Sequence, residues 1–337
     1  MDRLQVFLFG RFSTQRGDLV LTGLEAQKVQ ELFSYLLIYR KRSHPREKLA
    51  DLLWPNSSNT QSKQYLRQTL YQLQVALEDN SDPHGALISV ESNWIRMNPM
   101  ADYWSDIRQF ERAFALTQNR RGHELDDAEA CALESAVQLY HGDLLESWYQ
   151  DWSILERERV QNLYLLMLDK LMSYSAAHQE YERGIVYGSD ILRCDVAHER
   201  TYRRLMQLFA LAGDRSGALR QYERCVTVLA QELGVEPAEQ TVALYQQIKE
   251  DRPLSHLFHR SQNDAYGDAS LSLSGLLDRL THVRMDLINA QRQVEQDIEI
   301  VKTALVGSFQ QFVGEKVGER IVESKRADKN RSHARSV

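Results

Sequence analysis

Residues 40–77 carry the decisive stretch: Arg40-Lys41-Arg42-Ser43-His44-Pro45-Arg46-Glu47-Lys48-Leu49-Ala50-Asp51-Leu52-Leu53-Trp54-Pro55, a polar turn, then Lys63-Gln64-Tyr65-Leu66-Arg67-Gln68-Thr69-Leu70-Tyr71-Gln72-Leu73-Gln74-Val75-Ala76-Leu77. Pro45 is expected at the first position of a helix that buries Leu49, Leu52, Leu53 and Trp54 and stops at Pro55. A further helix is expected from about Thr60 to Leu77, with Leu66, Leu70, Leu73 and Leu77 on one side. Lys63, Arg67, Tyr71 and Gln74 fall opposite those leucines. Two amphipathic helices after a basic turn, the second polar and basic on its outer face, form the pattern of a helix-turn-helix.

The flanks complete a small domain. Leu4, Val6 and Leu8, then Leu19 and Leu21, alternate around turn signals at Gly10 and Gly17-Asp18, so residues 3–22 read as a small antiparallel sheet. Val29, Leu32, Phe33, Leu36 and Leu37 give residues 25–39 the spacing of a buried helix. Residues 87–90 and 94–97 flank Glu91-Ser92-Asn93 as a hairpin. Sheet, three helices and hairpin make a winged helix-turn-helix, assigned to residues 1–100.

Residues 101–250 read as helix after helix, over about 104–117, 127–140, 152–177, 180–193, 197–212, 215–232 and 238–249. Small residues (Ala176, Gly184, Ala210, Gly217, Ala218) recur where tetratricopeptide-like pairs pack, and short turns predict a right-handed solenoid. Residues 251–275 lack periodicity and read as a linker. Between 280 and 312, spacings of four and three place apolar residues at seven of ten positions, a heptad seam within a coiled-coil-like helix over 276–322. That seam is expected to pair two copies as a homodimer, or else to fold back on the helical stack or dock another protein. The tail 323–337 is basic, aperiodic and expected to be disordered. The fold class is therefore mostly α, with an α+β winged helix, an all-α domain and a C-terminal heptad helix.

Charge sorts these regions by partner. The chain of 337 residues carries a net charge of −6, unpromising for a polyanion ligand until it is divided. Residues 40–71 hold seven Lys/Arg against two Asp/Glu, whereas residues 101–250 hold sixteen against twenty-five. Basic charge concentrated on one element is what phosphate contact requires. Hydrophobic content of 43% supports real cores. No apolar run reaches membrane-span length and no signal peptide is visible, so a cytoplasmic, nucleoid-associated location without membrane contact is expected. Cys131, Cys194 and Cys225 lie far apart on helical patterns and are expected as buried thiols in a reducing compartment. Neither a phosphate-binding glycine loop nor a zinc-protease or nucleophile-elbow motif occurs, and the histidines have no metal-ligand spacing. The reading is a non-enzyme with no cofactor and no metal.

The first 250 residues resemble the SARP-type bacterial transcriptional activators, in which an OmpR-type winged helix precedes a bacterial transcriptional activator domain. The resemblance rests on Leu8-Phe9-Gly10 with Phe12, on Gln27 to Leu36, on Arg46 to Pro55, and on Leu66-Arg67-Gln68-Thr69-Leu70. It continues through Asn98-Pro99, Asp102-Tyr103-Trp104, Asp106 and Phe110, then Leu139-Tyr140-His141-Gly142-Asp143-Leu144-Leu145 and Glu232-Leu233-Gly234-Val235-Glu236-Pro237. It implies a sequence-specific DNA-binding regulator, an activator acting with RNA polymerase at promoters. Two departures stand out. Many relatives add an ATPase or sensor module where this chain has a linker and a heptad segment, and the wing carries Ser92-Asn93 where a Gly-rich tip is common.

Residue chemistry fits double-stranded DNA. In a major groove Arg pairs with guanine and Gln with adenine, while Lys and Tyr reach phosphate. Lys63, Gln64, Arg67, Gln68, Tyr71 and Gln74 are the expected reading set. Arg46 and Lys48 at the second helix are expected on the phosphate backbone, with Arg40 to Arg42 as weaker contributors. Asn93 and Arg96 are expected to touch backbone from the wing. Trp54, Trp94 and Trp104 read as core. The competing reading is a solvated helix face on a protein-interaction scaffold whose winged helix binds no DNA; a repressor shares every feature of an activator.

Overall fold

The computed structural model describes residues 3–77 and 86–252, and the heptad segment, the tail and all but the first two linker residues lie outside them. The N-terminal alternation becomes three short strands, β1 (Leu4–Phe7), β2 (Ser13–Arg16) and β3 (Leu19–Val20). Gly10 and Gly17 take positive φ in the connections, a region costly for residues with a Cβ. Next come α1 (Gln27–Ile38), β4 (His44–Pro45), α2 (Arg46–Leu53) and α3 (Asn59–Leu77), then the wing strands β5 (Ile88–Glu91) and β6 (Trp94–Met97). Beyond the wing lie β7 (Tyr103–Ser105), α4 (Asp106–Thr117), α5 (Asp127–Leu139), α6 (Asp151–Ala177) and α7 (Tyr181–Cys194). The described residues end with α8 (Glu199–Leu211), α9 (Arg215–Glu232) and α10 (Glu239–Lys249).

Three local expectations are corrected. Pro45 is not helical: it takes extended angles and pairs with Trp94, so α2 opens at Arg46. Strand β4 thereby joins the hairpin in a three-stranded sheet of order β4-β6-β5. The helix expected from residue 104 begins at Asp106, because residues 103–105 run parallel to β1 and close a four-stranded sheet of order β3-β2-β1-β7. Of the three cysteines only Cys225 is buried; Cys131 is exposed and Cys194 is intermediate. Burial pushes the Cys225 thiol up to about 12, an inert group.

The two sheets and helices α1 to α8 share one apolar core that runs from Leu4 through α1 and α3 to Leu208, and Tyr202, Cys225 and Leu229 form a smaller cluster beyond it. Its junction is polar at one point. Asp106 has no solvent exposure, and its Oδ2 accepts the N–H groups of Leu8 (2.6 Å) and Phe9 (2.8 Å), while Oδ1 accepts that of Ile107 (2.6 Å). Leu8 and Phe9 leave the ladder as β1 ends, so their N–H groups need a partner; a carboxylate at the start of α4 supplies it. The same turn is gripped from its other side: Gly10 N–H donates to the Asp143 carbonyl, Leu145 N–H to that of Leu8, and Glu146 N–H to that of Gly10. Phe9 fills the space between Phe110 and Tyr140, 5.2 and 5.1 Å away.

Further along, each helix packs on its neighbours, α6 on α7, α7 on α8, and α8 on α9 and α10. Gly188 permits the close approach of α7 to α8: an added Cβ would lie 2.7 Å from Leu205 Cδ2 and 2.9 Å from Met172 Cε. Asp169 on α6 holds the α8 guanidinium of Arg204. Burial works against its charge, but Arg204 and Arg200 outweigh it and keep the carboxyl below the ordinary Asp range.

Replacing Asp106 by Asn preserves volume yet turns an N–H₂ group toward backbone donors. Losing a charge-assisted acceptor and stranding buried N–H groups should cost about 2–4 kcal/mol, read as a lowered urea midpoint. A midpoint equal to that of the wild type would remove this carboxylate from its place in the junction.

Candidate nucleic-acid interface

The leucine stripe sets what α3 presents. Leu66, Leu70 and Leu73 are buried against α1 and α2 with Leu77, and at 3.6 residues per turn the opposite arc must face outward. Arg67, Gln64 and Gln68 are exposed and make no hydrogen bond or ion pair among the described residues. Tyr71 is 68% exposed. Lys63 and Gln74 flank the leucine side: Gln74 is half-buried, and Lys63 Nζ lies 2.6 Å from Glu47 Oε1 on α2. That pair holds the Glu47 carboxyl below its usual range through a hydrogen bond and the neighbouring charge.

Two exposed members of this arc were not singled out from sequence, Thr60 and the 49% exposed Val75. Winding about 100° per residue from the four leucines locates Val75 near its middle and Thr60 on the flank beside Arg67, and Val75 was masked by its apolar chemistry.

The remaining basic residues divide into free and engaged. Lys48 and Lys41 are exposed. Arg46 is half-buried; its backbone N–H donates to the Asn93 carbonyl at 2.8 Å and its guanidinium to the Ser92 carbonyl at 3.4 Å, which fastens the start of α2 to the wing tip. Ser92 itself takes φ 44°, the conformation for which a Gly-rich tip is the usual solution. Arg96 pairs with Glu91 across the hairpin at 2.8 Å. Arg42 lies over the Tyr39 ring, 4.4 Å from its centroid. Arg40 points inward, and its guanidinium meets Glu111 of α4 at 2.7 Å with both side chains largely buried. Glu111 also holds Arg159 of α6 at 2.6 Å, and Arg159 holds Glu156 at 2.7 Å. Arg40 is therefore removed from the phosphate set, because the helical domain supplies its counter-charge.

Trp94 corrects another expectation. It is 49% exposed, since the register pairs it with Glu91 on the outer face of the wing while its neighbour Ile95 points into the core. Trp54 and Trp104 are half-buried, Trp104 against Phe7 at 5.1 Å. His44, opposite Ile95, is buried with Nε2 3.2 Å from the Tyr39 carbonyl, and burial holds its pKa below the ordinary His value. Among the described residues no group of three or more His, Cys, Asp or Glu could hold a metal, and no helix is long and apolar enough to cross a membrane.

A winged helix-turn-helix whose sheet is closed by the first strand of a helical domain has counterparts among known proteins. Residues 105–249 match the family model of the bacterial transcriptional activator domain. The solved structure of Mycobacterium tuberculosis EmbR in complex with a low affinity phosphopeptide is similar in fold, with a TM-score of 0.58 at 18% identity over 82% of this chain and 73% of that one. No curated protein sequence matches the chain. Residues 105–249 are thus similar to the bacterial transcriptional activator domain, and the likeness to the EmbR structure extends to the fold of most of the chain.

Two outcomes follow from the divided charges. Arg40→Gln removes one of the two guanidinium partners of Glu111, leaving Arg159, and should cost about 1–3 kcal/mol of stability, leaving the salt dependence of any DNA binding unchanged; Lys48→Gln should do the reverse. Equal unfolding midpoints for the Arg40 variant and wild type would refute the inward role. For His44, the native state holds fewer protons than the unfolded chain below about pH 6.5. Its stabilisation is present above that pH and is lost as pH falls through the depressed native value. His44→Gln, which keeps a donor for the Tyr39 carbonyl, should narrow the drop in melting temperature between pH 7.5 and 5.5; an unaltered drop would exclude this histidine.

Proposed function

We propose that the chain is a sequence-specific DNA-binding transcription factor that activates promoters together with RNA polymerase. The supporting observation is the outward arc of α3: Gln64, Arg67, Gln68 and Tyr71, unengaged, on the basic module of an otherwise acidic protein. In this reading α3 enters the major groove, where Arg67 reads guanine and Gln64 and Gln68 read adenine. Lys63, Lys48 and Arg46 approach phosphates, with Asn93 and Arg96 on the adjoining backbone. The Lys63–Glu47 and Arg96–Glu91 pairs do not oppose this. Exposed ion pairs contribute about 0–1 kcal/mol, so a phosphate can replace either carboxylate. Pairing of two copies through residues 280–312 belongs to the same reading, because a single small basic module gains affinity by linkage.

The test is a fragment enriched from a random DNA pool with the full-length protein. Arg67→Ala should weaken specific binding at least tenfold, consistent with about 1–3 kcal/mol for one bidentate base contact, with an unchanged melting temperature. Wild-type binding should fall steeply with salt. A folded Arg67→Ala protein with full affinity defeats the assignment of α3. No DNA binding even at low salt would favour a scaffold in which the helical domain alone acts.

A further inference from the structure

Three glutamines follow one another along the outward side of α3. Gln64, Gln68 and Gln72 stand four residues apart, all exposed and without a hydrogen bond among the described residues. Four residues advance a helix by about 6 Å and turn it by about 40°, so the three side chains form one gently winding row. Val75 lies in the next turn, beside Tyr71, and is 49% exposed. A single exposed apolar side chain is ordinary. Val75, however, stands near the middle of an arc whose other members, Gln64, Arg67, Gln68, Tyr71 and Gln72, all end in polar groups. Solvent does not favour it there, because a β-branched valine is a poorer helix former than Gln, Lys or Arg.

Hydrogen-bonding capacity narrows what this row can meet. In the major groove adenine presents the N6 donor beside the N7 acceptor, which one side-chain amide satisfies together. Thymine presents an apolar C5 methyl, and cytosine an N4 donor whose matching acceptor is a carboxylate. Residues 59–77 contain no Asp or Glu. Helix α3 therefore offers amides for adenine, a valine for the thymine methyl, one guanidinium, Arg67, for guanine, and no carboxylate for cytosine. From Gln64 to Gln72 the helix rises about 12 Å, the length of roughly three to four base pairs at about 3.4 Å each.

We infer that the DNA half-site of this protein is a run of A·T pairs beside a single G·C pair, its adenines met by the glutamine row and one thymine methyl covered by Val75. The inference rests on the DNA reading proposed above and gives that reading a sequence class. Gln72 and Val75 are specificity-determining residues in it, whereas Lys48 and Lys63, on phosphates, are indifferent to sequence.

Full-length wild type, Val75→Ala and Gln72→Ala are compared on the half-site enriched from a random DNA pool, and thermal unfolding verifies the fold of each. Every thymine is replaced in turn by uracil, which keeps the hydrogen-bonding groups and removes only the methyl. One such replacement should weaken wild-type binding about fourfold, the weight of one buried methyl group, and should leave the binding of Val75→Ala unchanged. Gln72→Ala should lose about fivefold or more of the preference for adenine at one position. A half-site dominated by G·C pairs overturns the inference, as does a uracil effect at no thymine or one of equal size in Val75→Ala. An A·T preference that survives intact in both variants would lie in groove shape and overturns it too. Arg67→Ala separates the two failures. Full affinity in that variant defeats the α3 assignment itself, and lost affinity beside any of the contrary results overturns the sequence class alone.

Discussion

Asp106 constrains the molecule more than any other residue. One buried carboxylate at the start of α4 accepts the backbone N–H groups of Leu8 and Phe9 from the N-terminal sheet and of Ile107 from its own helix. Buried N–H groups left without acceptors cost roughly 1–3 kcal/mol each, so the turn after β1 cannot leave α4 cheaply. Burial raises the Asp106 pKa, and its three N–H donors together with His141 hold it down; the group is costly to bury and is kept by those contacts. Around it, β7 completes the first sheet and residues 143–146 exchange backbone hydrogen bonds with Leu8 and Gly10. The winged helix and the helical domain consequently behave as one packed unit at this junction.

That fusion determines what remains for binding. Helix α1 is gripped by the core on one side, by Trp152 at Tyr35, and by Glu111 at Arg40. Helix α3 rests on α1 and α2 through its leucines, which leaves a single polar arc outward. Basic residues near α4 and α6 are consumed as structural counter-ions, as Arg40 and Arg159 are. Those on the outer side of α2 and α3 stay exposed or sit in weak surface pairs. A carboxylate of the helical domain within reach is what separates Arg40 from the exposed Lys41 and Lys48, cations of similar sequence context.

Much of this was legible in the sequence. The leucine and aromatic spacings located α1, α3 and the helices of the activator domain to within a few residues, since amphipathic periodicity survives any tertiary arrangement. Strand β7 was not legible: three residues, Tyr103-Trp104-Ser105, are too few for a period and continue directly into a helix. The pairing of Pro45 with Trp94, and with it the exposure of Trp94, depends on a register that no local pattern encodes. Arg40 read as one more member of a basic cluster because its partner, Glu111, lies 71 residues away. Conversely, the Leu8-Phe9-Gly10, Asp106 and His141-to-Leu145 motifs, noted as separate signatures, converge on one junction and thereby acquire a physical cause.

The central claim is that α3 is the element that meets base edges. Its most direct test is photo-crosslinking of the full-length protein to bound DNA carrying 5-iodouracil, whose reactive position lies in the major groove, followed by peptide mapping. The account predicts crosslinks within residues 60–75, centred on the two turns that carry Gln64, Arg67 and Tyr71. Crosslinks confined to the helical domain, or bound DNA that yields none in α3 at any substituted position, would contradict it.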